Sequence, residues 1–129
     1  MSFPFSLADP ELTQQITLRN LVCACSGVPR RDFEVLMNFD NLSPEDIVAS
    51  LASFELFTDF GEAFQYSNQM VAAGGYAAAA VAGAEYGSLH DGYMEAIQER
   101  VIAPIGMTST TSSFQEVQVG NNYGASHGL

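Results

Sequence analysis

A chain of 129 residues is about one domain long, and at 47% hydrophobic it has enough apolar side chain for a packed core. Fifteen acidic residues stand against four basic ones (Arg19, Arg30, Arg31 and Arg100), a formal charge of −11. Such a surface repels phosphate backbones and anionic lipid headgroups, so neither nucleic acid nor a membrane is an expected partner.

Taken in chain order, residues 1–15, with Pro4 and Pro10, are expected to form an irregular lead-in. Met1 to Leu7 is too short and carries no basic residue, so no secretory leader is read there and the compartment is left open. Thr17 is placed to cap a short helix from Leu18 to about Cys25, which Ser26-Gly27 would end and Val28-Pro29 would leave extended. Cys23 and Cys25 fall in that stretch. On a helix they point to different sides, so they are expected as two small buried thiols and not as a bridge or a metal site. A second short helix is expected over Arg31 to Phe39, ended by Asp40-Asn41.

Ser43-Pro44-Glu45-Asp46 is a helix start: a capping serine, a proline at the first helical position, and two acids at the positive end of the dipole. Ile47, Val48, Leu51 and Phe54 then recur at helical spacing. A Phe-rich connection follows, with Phe57, Phe60 and Phe64. Ser67 or Asn68 caps the next expected helix, built almost wholly of Ala, Gly and Val and running to about Tyr86, with Gly87 ending it. So few large or charged residues predict a central helix that neighbours approach closely. Ser88 caps another, Leu89 to Ala103, with Tyr93, Ile97 and Val101 as its apolar stripe and Pro104 and Gly106 as its stop. Ser113-Phe114-Gln115-Glu116 has capping-box spacing for one more turn. Thr108 to Thr111 is the best place for a short extended piece; no strand is otherwise expected.

Phe64-Gln65-Tyr66-Ser67-Asn68 has a plain structural reading, in which the tyrosine ring packs and the asparagine caps. The order of segments around it carries a second. Ile16-Thr17-Leu18-Arg19-Asn20-Leu21-Val22 is followed by Ser26-Gly27-Val28-Pro29. Then come Gly61-Glu62-Ala63-Phe64-Gln65-Tyr66-Ser67-Asn68, Ala73-Gly74-Gly75-Tyr76, and Val101-Ile102-Ala103-Pro104-Ile105-Gly106-Met107-Thr108-Ser109-Thr110. In order and spacing these four pieces resemble the penicillin-binding-protein-like serine hydrolases: class C β-lactamases, DD-peptidases and related esterases. The resemblance covers residues 16–129, read as one partial domain. It implies a mainly α fold, the helical subdomain of the serine β-lactamase-like architecture, with irregular loops and no substantial sheet.

The resemblance also implies a mechanism. In the family a serine in a Ser-x-x-Lys motif attacks an acyl carbonyl, and the lysine and the tyrosine of Tyr-x-Asn move its proton. The asparagine contacts the substrate amide or the lysine, and a Lys/His-Thr/Ser-Gly strand lines the opposite wall. Tyr66 corresponds to the proton-transfer residue, Asn68 to the amide-side contact, and Ser67 to a variable position that caps. A tyrosine, with an ordinary pKa of about 10, becomes useful in such chemistry only beside positive charge. No cofactor or metal is implied, and the acids at 45, 46, 55, 59 and 62 are read as helix-start and solvated charges.

The departures are as informative. All four basic residues are arginines, so the chain has no lysine and no Ser-x-x-Lys. His127-Gly128 is the nearest approach to the third motif, and Ala24 stands near the place of a family histidine. His90, beside Asp91, is read as solvated. The expectation is therefore a fragment of an acyl-serine hydrolase, acting on an ester or amide, or a chain that completes its site with another polypeptide; alone it is expected to be inactive. Nothing marks β-lactam specificity, which places an esterase parent ahead of a β-lactamase. Arg30-Arg31 is a candidate contact for a substrate carboxylate. The alternative is a non-enzymatic acidic helical module whose exposed apolar face binds a sheet-bearing chain or a second copy of itself.

Overall fold

The computed structural model describes residues 3–38, 41–120 and 124. They group into two compact units, Met1–Tyr93 and Met94–Leu129. The described residues are helical with no β-strand, Thr108 to Thr111 included.

The first unit begins with α1, Pro10–Gln15, inside the lead-in that was expected to be irregular. The Asp9 carboxylate accepts from the backbone N–H groups of Glu11 and Leu12, and Pro10 takes the first turn. A proline has no N–H for that turn to leave unsatisfied, so Asp-Pro starts a helix just as Ser-Pro does later. Helix α2, Leu18–Val22, opens with a reciprocal box between Thr17 and Asn20. Helix α3 covers Asp32–Asn38; its expected end at Phe39 and Asp40 lies outside the described residues. Helix α4, Pro44–Ser50, is boxed by Ser43 and Asp46 and tightens into a 3-10 turn over Leu51–Ser53.

Helix α5, Asn68–Ala82, is the centre against which α2 and α4 pack. It stops before Tyr86, at Gly83, which sits at φ 117. The Gly83 N–H returns to Ala80 and the Ala84 N–H to Ala79, a left-handed close that satisfies two end carbonyls. Its two inner glycines explain the Ala-Gly-Gly-Tyr run. A Cβ on Gly74 would stand 2.9 Å from Val22 Cγ1 of α2, and one on Gly75 would stand 3.1 Å from the Tyr93 ring. The core holds Leu7, Leu21, Val28, Val48, Leu51, Phe54, Met70 and Ala73.

Helix α6, Leu89–Ile97, starts without a Ser88 cap: that hydroxyl donates to the Glu85 carbonyl. Glu45 does the capping instead. Its carboxylate accepts from the N–H groups of Gly87 at 2.9 Å and Leu89 at 3.0 Å, tying α4 to the α5–α6 turn. In the second unit the chain widens into a π turn over Gln98–Ile102, and the Ala103 N–H reaches back five residues to Gln98. Pro104 offers no N–H to the Arg100 carbonyl and its ring crowds it, so the α register expected to reach Ala103 gives way earlier. Helix α7, Phe114–Val119, is capped by the Ser113 hydroxyl accepting from the Glu116 N–H. Among the described residues no helix is long and apolar enough to cross a membrane.

Candidate functional site

The site is set by the entry to α5. Ser67 has extended backbone, φ −145 and ψ 109, so Tyr66 and Asn68 project to one side and Ser67 to the other. Ser67 is 1% exposed and Tyr66 46% exposed. The buried Ser67 hydroxyl donates to the Pro29 carbonyl at 3.0 Å and makes no cap. It pins the strand of the motif to the loop after α2, a stronger role than the capping expected of it. Gln69, also buried, accepts from the Arg31 N–H at 3.4 Å and fastens the same loop one turn further on.

Asn68 is the first residue of α5, and its Nδ2 donates to Asp32 Oδ1 at 2.9 Å. That bond uses one of the two N–H groups of the amide. Asp32 is held in turn by Arg30, whose Nε lies 3.6 Å from its second oxygen. Arg30, Asp32 and Asn68 thus form a chain of polar contacts at the surface. Below it runs a groove of about 270 Å³ whose walls are Val35, Leu36, Ile47 and Ala72, with Asp32, Asn68 and Gln69 at its polar end.

Arg31 does not face this groove as a free cation. Its guanidinium lies 4.2 Å over the Phe54 ring and donates to the Ser53 side chain and carbonyl at 3.1 and 3.2 Å. Arg30 is paired with Asp32. Of the expected carboxylate-binding pair, Arg31 is engaged, whereas Arg30 is tied through Nε alone and its side chain is largely exposed. His90 is exposed in the first turn of α6, in keeping with a solvated side chain, and His127 lies outside the described residues.

The other wall of the motif is the turn after α2. The helix ends at Val22, and Ala24 takes φ 52. That reversal brings Cys23 and Cys25 together in a disulfide, with Cα atoms 5.2 Å apart. The expectation of two thiols rested on a helix running through Cys25; the helix stops first, and the residue between the cysteines is left-handed. The same turn holds the Phe-rich connection by backbone bonds: Gln65 N–H to Ala24 O at 2.8 Å, Gly61 N–H to Cys25 O at 3.2 Å, and Phe57 N–H to Gly27 O at 2.8 Å. Phe57 and Phe64 themselves stand in solvent, 76% and 75% exposed, whereas Phe54 is core.

Two carboxylates that read as plain helix-start charges prove to be fixed. Burial alone would raise Glu45, but the N–H donors of Leu89, Glu45 itself and Gly87 outweigh it and hold the carboxyl below its ordinary range. The Ser43 hydroxyl and N–H do the same for Asp46. Burial pushes the half-buried Tyr76 hydroxyl up, helped by Tyr93, whose ring meets it edge-on at 5.8 Å, and by Glu45.

The helical build of the described residues fits the helical subdomain of a β-lactamase-type fold. The family model described as Beta-lactamase matches residues 7–127, and the chain belongs to that family. No curated protein and no solved structure matches it.

Proposed function

We propose that this chain supplies the Tyr-x-Asn wall of an acyl-serine hydrolase site that acts on an ester or amide. Tyr66 relays the proton of the attacking serine, and the Asn68 amide contacts the acyl side of the substrate. The groove beside Asn68 takes the apolar part of the acyl group, which favours an ester with a small aliphatic acyl chain. The observation that carries this reading is the exposure of Tyr66 and of Asn68, the latter lining that groove, with Ser67 anchored between them. A nucleophile needs an oriented base within hydrogen-bond reach. A sequence without lysine has no Ser-x-x-Lys to provide one, so the chain alone is inactive.

Intact-mass measurement after incubation with benzylpenicillin and with p-nitrophenyl butyrate tests this. No adduct is expected, and acylation of any serine of this chain would refute it. Joined to a sheet-bearing polypeptide that carries Ser-x-x-Lys, the chain should give ester turnover, and Tyr66→Phe should lower it about 10²- to 10⁴-fold. Turnover indifferent to Tyr66 would remove the assigned role.

A second reading rests on the exposure of Phe57 and Phe64 on one connection and of Phe33, Leu36 and Met37 on α3. Apolar side chains in solvent at this density mark a docking face, for a sheet-bearing chain or a second copy. Sedimentation over a concentration series distinguishes self-association from a monomer.

A further inference from the structure

The Cys23–Cys25 bridge closes the shortest of loops beside the motif, and four observations give it a chemistry. Both cysteines are partly exposed. Two cysteines two residues apart meet only where the residue between them reverses the chain, and here that residue is Ala24, the one non-glycine at positive φ among the described residues. An alanine rarely holds that conformation unaided. The Ala24 carbonyl so placed accepts from Gln65, the residue next to Tyr66. Finally, Cys23 Sγ lies 3.8 Å from the Asn20 carbonyl, a ready acceptor for the thiol that opening the bridge would leave.

We propose that Cys23–Cys25 is a thiol–disulfide exchange site whose oxidation state sets the placement of the Tyr66 segment. A dithiol is the reductant. Its thiolate attacks one cysteine sulfur, breaking the bridge and releasing the other cysteine as a thiolate, with a mixed disulfide formed. The second thiol of the reductant, as thiolate, expels the remaining cysteine and closes the reductant's own disulfide. Two electrons have passed to the chain, and the two cysteine thiolates take up protons. A bridge over three residues gains least from loop closure, so its opening leaves the fold standing. What changes is local. Ala24 relaxes to negative φ, its carbonyl leaves Gln65, and the extended strand into α5 loses one of its ties while Ser67 keeps the other. The redox chemistry is independent of the proposed acyl transfer; only its consequence for catalysis rests on that reading.

The test uses the full chain at native pH. Treatment with dithiothreitol followed by iodoacetamide should add two alkyl groups by mass, against none in the untreated chain. Amide hydrogen exchange at Gln65 should then rise about tenfold, while exchange in the core of α5 is unchanged. Cys23→Ser/Cys25→Ser should match the reduced chain. Ala24→Gly, which holds positive φ at little cost, should restore slow exchange at Gln65 after reduction. Unchanged exchange at Gln65 in a chain shown by mass to be reduced would overturn the switch. A bridge that opens only in denaturing urea would overturn the exchange site. Neither readout involves turnover, so failure here and failure of the hydrolase reading are separate results.

Discussion

Gly27 is where the loop after α2 meets the connection that leads to the site. Its φ is 76, and a Cβ there would overlap the Thr58 carbonyl oxygen. Both faults fall on one substitution, so Gly27→Ala should destabilise the chain by about 2–4 kcal/mol, read as a lower urea midpoint with an unchanged slope. Gly61, also at positive φ, has open space around it, and the same substitution there should cost only the conformational part, about 1–2 kcal/mol. The pair separates close approach from backbone strain. Tyr66 and Asn68 could be nominated from the order of their neighbours in the sequence, because a motif is local. Asp32 was not, because the bond that makes it part of the site joins residues 36 apart in the chain. The groove was hidden for the same reason, since its walls come from three helices.

Among the elements, local chemistry was the readable part. Thr17, Ser43 and Ser113 each cap the helix they precede, since the cap and its partner lie three residues apart. Asp9-Pro10 carries the same signal as Ser43-Pro44, but it was masked by reading two prolines as a loop. The end of α5 was misplaced because two glycines compete for it, and the first closes the helix. The start of α6 at Leu89 was readable but its cap was not: Ser88 is in place, yet a carboxylate 44 residues away from Leu89 does its work.

That clamp makes a pH prediction. The Glu45 carboxyl is held below its ordinary 4.5, so its contribution is full above that value and is lost as pH falls through the lowered one. The thermal midpoint should therefore drop as pH falls below the ordinary carboxylate range, and Glu45→Gln should flatten part of that drop. At neutral pH the same variant should cost about 1 kcal/mol, the usual worth of a helix cap. Asp46, held low by Ser43, adds to the slope in the same direction.

For the whole molecule, charge and apolar exposure pull in opposite directions. A formal −11 resists close approach of two copies, while Phe57 and Phe64 invite it. Salt should therefore promote association as it screens the charge, with most of the effect reached by about 0.15 M. Phe57→Ser/Phe64→Ser should abolish that association and shift stability by no more than about 0.5 kcal/mol, as for exposed positions generally. Sedimentation across a salt series reads the first effect and chemical unfolding the second. The helical class was visible in the sequence, and so was the family.

The composition of α5 has a thermodynamic consequence of its own. Seven alanines and two glycines stand among its fifteen residues. Those side chains have no rotamers to surrender when the chain orders, whereas a leucine forfeits about 0.5–1 kcal/mol and a lysine or methionine up to about 2. The element at the centre of the fold is therefore the one whose side chains lose least freedom on being enclosed. Modest contact with α2 and α4 suffices to hold it, and lengthening its small side chains would bring an entropic loss as well as a steric one.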